Sequence, residues 1–168
     1  MISAETVTQT WQRMAQTPIS EAPEVVSQMN AEQPVLLAYL ISAKSLSFNP
    51  NECQLVFYIG TVVWQIMKQS RHRLNKVTRK KMRKAERDNE KFLARLTTRS
   101  EDELARLSQR LLAQYPEPEV LRYIWEAIME EDPDPEEEPI REEYRGLAFI
   151  HLKIALDALI NSLGPRRW

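Results

Sequence analysis

Residues 53–67, CQLVFYIGTVVWQIM, hold no charge and no proline, and only Gln54, Thr61 and Gln65 are frankly polar. At 100° per residue the apolar side chains fall on every face of a helix, the pattern of a helix enclosed by others rather than lying on a surface. The strongly apolar run, Leu55 to Met67, is shorter than the ~20 residues that cross a bilayer. The stretch therefore predicts a helix in the middle of a bundle, and the rest of the chain must cover it.

Helical signals lie on both sides. Val7, Trp11 and Met14 recur at i, i+4 and i+7 and predict a first helix ending near Pro18. A short second helix follows Ser20, with Pro23 in its first turn, where the missing N–H costs little. Pro34 opens PVLLAYLISAKSL, a mostly buried helix closed by FNPN at Phe48 to Asn51. Downstream there is no proline from Glu52 to Leu96 and only Gly60 as a weak breaker, so one or two long helices are expected, basic after Lys68. Ser100 begins SEDE, a capping box in which Glu103 reaches back to the cap amide. The helix it starts carries Leu104, Leu107, Leu111 and Leu112 and stops at YPEP. PEVLRYIWEAIMEE follows from Pro118, and a last helix runs from about Ile140 to Leu163, with Gly164 and Pro165 as its stop. The expected class is all-α, a bundle of six to eight helices without strands.

Two segments resemble each other. PVLLAYLISA from Pro34 and PEVLRYIWEA from Pro118 match at Leu37 and Leu121, Tyr39 and Tyr123, Leu40 and Ile124, and Ala43 and Ala127. Each precedes a proline-containing connection and then an apolar helix, so both read as helical hairpins. Internal duplication is one explanation, and chance similarity between two proline-started buried helices is the other. On this reading residues 1–30 form an N-terminal helical segment and 31–168 a bundle. The bundle comprises a hairpin at 34–67, a basic helix at 68–97, a capping-box helix at 100–114 and a hairpin at 118–163. The two hairpins are expected to pack around a pseudo-twofold axis.

Composition narrows the class. The chain has 168 residues, 43% hydrophobic, enough for a real core, and three glycines, too few for turn-rich β folds or Gly-rich phosphate loops. The one cysteine, Cys53, forms no intrachain disulfide or thiolate cluster and reads as a small buried hydrophobe. MISAETVTQTWQRM lacks a basic region followed by an apolar run, so no signal peptide is expected. These features point to a soluble cytoplasmic protein.

The net charge of −1 conceals strong segregation. Residues 71–91 hold ten Lys/Arg and three Asp/Glu, whereas 117–143 hold twelve Asp/Glu and two Lys/Arg. On one helix, Arg73, Lys76, Lys80, Arg83, Lys84, Arg87 and Lys91 share an arc of about 100°, beside an apolar face of Leu74, Ala85, Phe92 and Leu96 with Met82 at its edge. Such a ridge could follow phosphates, because neutralising a polyanion releases counterions. No aromatic interleaves with it and no helix-turn-helix, zinc-finger or RNA-recognition signature accompanies it. Solvation and pairing with an acidic partner therefore stand beside nucleic acid as its roles, and the narrow apolar stripe argues against a membrane surface. The segment EDPDPEEEPIREE, 131–143, takes the place of the FNPN turn: its prolines stop a helix, its carboxylates keep the connection in water, and its last glutamates suit a helix N-terminus.

Motifs for catalysis are sparse. Neither His72 nor His151 lies three or four residues from another ligand in a zinc or diiron pattern, and no nucleophile elbow, P-loop or dinucleotide fingerprint occurs. Prolines occupy the places where a calcium loop needs ligands and glycine. No metal or cofactor is expected. Arg145 and His151 in RGLAFIH are spaced as in the HEPN ribonucleases, which this seven-residue stretch resembles. That resemblance implies an all-α, usually dimeric enzyme with these two residues in its site, although Gly146 stands where the family usually has a polar residue. His151 also lies between Ile150 and Leu152, across the helix from Lys153, Asp157 and Asn161, the setting of a buried structural histidine. Trp11, Trp64 and Trp125 occupy apolar positions and read as core, as do Tyr39 and Tyr123 with their hydroxyls partnered at its edge. Trp168, after two arginines, reads as a tail or a docking point for another subunit. The expected function is a non-catalytic interaction protein that binds another protein or itself. The alternative is a nucleic-acid-associated protein using the ridge, with an HEPN-like ribonuclease as its enzymatic extreme.

Overall fold

Prolines and polar caps set the starts of most helices. The computed structural model describes residues 1–96, 100–130 and 139–167. Ser3 accepts the Thr6 amide at 3.2 Å and opens α1, Ala4–Gln16. Proline occupies the first turn of α2 (Ala22–Glu32), α3 (Pro34–Ile41), α4 (Pro50–Met67) and α7 (Pro118–Met129), where it removes no intrahelical bond. The best-defined cap lies in FNPN. Asn49 accepts the Glu52 amide at 2.8 Å while Glu52 accepts the Asn49 amide at 2.9 Å, a full capping box. The remaining helices are α5 (Arg79–Leu96), α6 (Glu101–Gln114) and α8 (Glu142–Ile160), with short 3-10 turns at Ile19–Glu21 and Ser42–Ser45.

The apolar stretch 53–67 lies in α4, and it is enclosed as its pattern requires. Val56, Val62, Trp64, Ile66 and Met67 are all sealed from solvent. α4 packs against α8, whose Ala148, Leu152, Leu156 and Leu159 are equally buried, with α3 and α7 beside the pair. α1 lies over α4 and α7, α5 lies on α8, and α6 lies on α7. Each fully buried Leu, Ile or Met of this core contributes roughly 1.5–3 kcal/mol. Gly60 does not break α4. A Cβ there would sit 2.5 Å from Leu40 Cδ2, so the glycine lets α3 approach closely.

The all-α class holds, with one addition that the sequence did not signal. His72–Leu74 (β1) pairs antiparallel with Leu163–Arg166 (β2), His72 opposite Arg166 and Leu74 opposite Leu163. Asn75 N donates to Ser162 O at 3.0 Å and Arg167 N to Arg71 O at 2.6 Å, extending the ribbon at both ends. The basic helix expected over 68–97 is therefore divided, and helix begins only at Arg79. The cause lies in Gln33, 2% exposed, whose amide donates to Asn75 O at 3.0 Å and accepts Val77 N at 2.9 Å. This buried side chain satisfies backbone groups that a helix would have paired internally, and it holds 75–77 extended.

Further differences are local. The last helix ends at Ile160, and Gly164 and Pro165 belong to β2 rather than to a helix stop. Ser100 sits at the N-cap of α6 with extended backbone, yet its hydroxyl accepts no cap hydrogen bond. Trp11 is 39% exposed and Trp125 half-buried, so of the three tryptophans placed in the core only Trp64 is sealed there. The expectations for the acidic stretch 131–138 and for Trp168 lie outside the described residues. Among the described residues no helix is long and apolar enough to cross a membrane.

Candidate binding surfaces

α4 and α8 start at one end of the molecule and finish at the other. Near their starts, Arg141 grips Glu52: Nη2 lies 2.7 Å from Oε1, the Arg141 amide donates to Oε2 at 2.9 Å, and Nη2 also reaches Ser47 O at 3.1 Å. Burial by itself would raise the Glu52 carboxyl; hydrogen bonds from Arg141 and from the Asn49 amide outweigh it and hold the group below the ordinary range. At their finishes lies the β-ribbon, about 27 Å away along helices of this length.

The ribbon end is strongly basic. Residues 71–85 and 161–167 contain ten Lys/Arg and no Asp/Glu. Arg71 and Arg73 come from the first strand region, and Arg166 and Arg167 from the second; all four are exposed. Lys76 lies in the connection, and Arg79, Lys80, Lys81, Arg83 and Lys84 enter α5. Among the described residues only Lys84 of these ten forms an ion pair, with Asp88 at 2.6 Å.

The ridge read from the sequence is thus partly retained. Lys80, Arg83, Lys84, Arg87 and Lys91 line the solvent side of α5, opposite the buried Met82, Ala85 and Asn89. Arg73 and Lys76 leave that line and join the ribbon. Arg166 and Arg167, taken for part of a tail, were missed, because only the pairing of β1 with β2 brings them beside Arg71 and Arg73.

A second surface lies nearer the opposite end. Trp11 of α1, Leu55 and Tyr58 of α4, and Tyr123, Trp125 and Met129 of α7 line a groove of about 1050 Å³. Trp11 is 39% and Tyr58 41% exposed, whereas Trp125 is braced edge-on against Phe149 at 5.4 Å. Burial raises the pKa of Tyr58 and Tyr123, so both present neutral hydroxyls. Glu126 and Glu130, both exposed, supply the charge at the rim. The periodicity of α1 marks Trp11 as apolar, but not as the groove residue the structure makes it.

Of the HEPN-like pair, His151 lies inside the bundle and Arg145 turns toward the start of α8. His151 is 4% exposed and stacks on Tyr39 with centroids 4.3 Å apart, while Tyr39 OH donates to His151 O at 2.7 Å. Burial pushes the imidazole down to about 4, and Nε2 has no hydrogen-bond partner within the protein. Arg145 directs Nε to Ile140 O at 3.2 Å, and six helical residues place it well round α8 from His151. His72, in the ribbon, holds Nδ1 3.1 Å from Gly164 O.

Lys153 and Asp157 of the polar stripe on α8 are drawn into a cluster with Asn89 and Tyr115, which the sequence did not signal. Lys153, 6% exposed, donates to Asn89 Oδ1 and to Asp157 Oδ2, each at 2.8 Å. Asn89 Nδ2 donates to Asp157 Oδ2 at 2.8 Å and to Ala85 O at 2.7 Å, and Tyr115 OH donates to Asp157 Oδ1. The ammonium also faces the rings of Phe92 and Tyr115. Every member is engaged, so the cluster ties α5 and the α6–α7 connection to α8. Among the described residues no group of three or more His, Cys, Asp or Glu is placed to hold a metal ion. Comparison with protein-family models, curated proteins and solved structures finds no match to the chain.

Proposed function

We propose that the protein is a non-catalytic, cytoplasmic binding module whose ligand is another protein, docked in the groove between α1, α4 and α7. The carrying observation is the combination of exposed Trp11 and Tyr58 with the braced Trp125, large aromatic anchors open to solvent in one concave surface. Such side chains dominate binding energy at protein interfaces, where they bury much area at little entropic cost. The volume of about 1050 Å³ and the open shape suit two or three turns of an amphipathic helix better than a small molecule. Glu126 and Glu130 stand at the rim, and the six carboxylates of residues 131–138 follow α7 in the chain, so the docked helix carries Lys or Arg at its flanks. The non-catalytic reading draws support from His151, which is stacked on Tyr39 and desolvated.

The experiment places a photo-crosslinking residue at Tyr58 in the intact protein and maps its adducts in nuclease-treated native lysate. The expected adduct is a segment with helical apolar period and Lys or Arg flanks, lost when Trp11 is replaced by serine in a variant with unchanged circular dichroism. Adducts only to a second copy, to segments without that pattern, or unchanged by Trp11→Ser contradict the proposal.

A further inference from the structure

The basic end is a second surface, distinct from the groove and built from parts remote in sequence. Arg71 and Arg73 on one side of the ribbon meet Arg166 and Arg167 on the other, because His72 pairs with Arg166 and Arg167 N bonds to Arg71 O at 2.6 Å. The chain then passes Lys76 and enters α5, whose first turn is capped by Thr78 Oγ1 accepting the Lys81 amide at 3.2 Å. The positive end of that helix therefore points into the same cationic surface. From Lys80 to Lys91 the solvent side of α5 continues it for about 16 Å.

Three features identify the ligand chemistry. No carboxylate occurs in 71–85 or 161–167, and among the described residues the four ribbon arginines form no ion pair, so their guanidinium forks are free for an external anion. The surface is extended rather than pocket-like, matching a polymer that repeats one charge every ~3.4 Å along a strand. The exposed side chains between the cations are His72, Asn75, Thr78 and Pro165 around the ribbon and Glu86, Asp88 and Glu90 farther along α5, none of them a large apolar group able to enter a bilayer. We infer that the β-ribbon and the outer face of α5 form one binding site for the phosphate backbone of a nucleic acid, read without regard to base sequence. Phosphate contacts fix position and supply affinity, and the sequence carries no helix-turn-helix, zinc-finger or RNA-recognition signature that would present these cations to base edges.

The test measures fluorescence anisotropy of the full chain with short labelled duplexes of unrelated sequence, from about 50 mM to about 200 mM salt. Binding is expected to be alike for the different sequences and to weaken steeply with salt. Arg71, Arg73, Arg166 and Arg167 are replaced together by glutamine; a second variant changes Lys80, Arg83 and Arg87, in case the first loosens the ribbon. A control removes as many cations elsewhere, at Arg13, Lys44, Arg106 and Arg110, all exposed. The ribbon variant, or the α5 variant if the ribbon opens, is expected to lose at least about tenfold in affinity for every duplex and to flatten the salt slope by about one per phosphate contact removed. No binding at the lowest salt, equal losses in the control, or selectivity for one sequence overturns the inference. So does tighter binding at matched salt to phosphatidylserine vesicles or to polyglutamate, which would assign the surface to lipid or to an acidic protein.

Discussion

At the residue scale two buried groups respond to acid in different windows. His151 titrates near 6.5 when unfolded and near 4 in the fold, because burial disfavours its charged form. The unfolded chain therefore holds the extra proton between those values, and stability falls as the pH is lowered through that range. His151→Phe keeps the stack on Tyr39, removes the orphaned Nε2, and has the adjoining 220 Å³ pocket to receive the larger ring. The variant is expected to gain about 1 kcal/mol at neutral pH, or roughly 2–4 °C in Tm, and to lose the His151 pH dependence between 6.5 and about 4. Thermal melts at stepped pH check both; an unchanged slope contradicts the assignment. Glu52 acts lower. Its folded pKa is depressed, so its contribution is present above about 4.3 and is lost as the pH falls through the folded value. Glu52→Gln retains a capping side chain but not the charge facing Arg141, and is expected to cost about 2 kcal/mol at pH 7 in urea unfolding, shrinking toward nothing in strong acid.

At the element scale, signals carried within one helix were legible and those depending on distant partners were not. The enclosed α4 was readable because apolar residues on every face are a local property. Five ridge cations kept their alignment because they share one helix. Arg73 and Lys76 did not, since Gln33, some forty residues upstream, competes for the backbone at 75–77. The ribbon itself needs residues 163–166, and His72–Leu74 carries no strand pattern that would announce it. The capping box of Asn49 and Glu52 is likewise a local signal, written in the sequence as N-P-N-E. Gly60 shows the same limit: as a helix residue it is unfavourable by about 1 kcal/mol against alanine, so propensity alone recommends Gly60→Ala. Packing reverses the sign, because the new methyl would lie 2.5 Å and 2.8 Å from the two methyl carbons of Leu40. Gly60→Ala is expected to destabilise by about 1–3 kcal/mol in denaturant unfolding, and Leu40→Ala in the same chain to recover part of that loss for the pair.

At the scale of the whole molecule, the parallel run of α4 and α8 separates two surfaces of opposite character. The aromatic groove with its glutamate rim lies toward the starts of these helices, and the cationic ribbon lies at their finishes. The matched tyrosines of the two hairpins face across this pair: Tyr39 bonds to His151 of α8, and Tyr123 shares the groove with Tyr58 of α4. That arrangement explains why one hairpin is sealed where the other is open: His151 fills the space beside Tyr39, while Tyr58 stands 41% exposed beside Tyr123. The docking proposal concerns this open side, and the indole N–H signals of the tryptophans report on it directly. The measurement is a titration of the nitrogen-15-labelled protein with a leucine–lysine amphipathic helical peptide, and separately with its leucine–glutamate counterpart of identical apolar face. The expected result is that the lysine peptide shifts the Trp11 and Trp125 indole signals saturably and leaves the sealed Trp64 in place, while the glutamate peptide binds more weakly by at least about tenfold. Equal response to both peptides, or shifts confined to signals outside the groove, would contradict it.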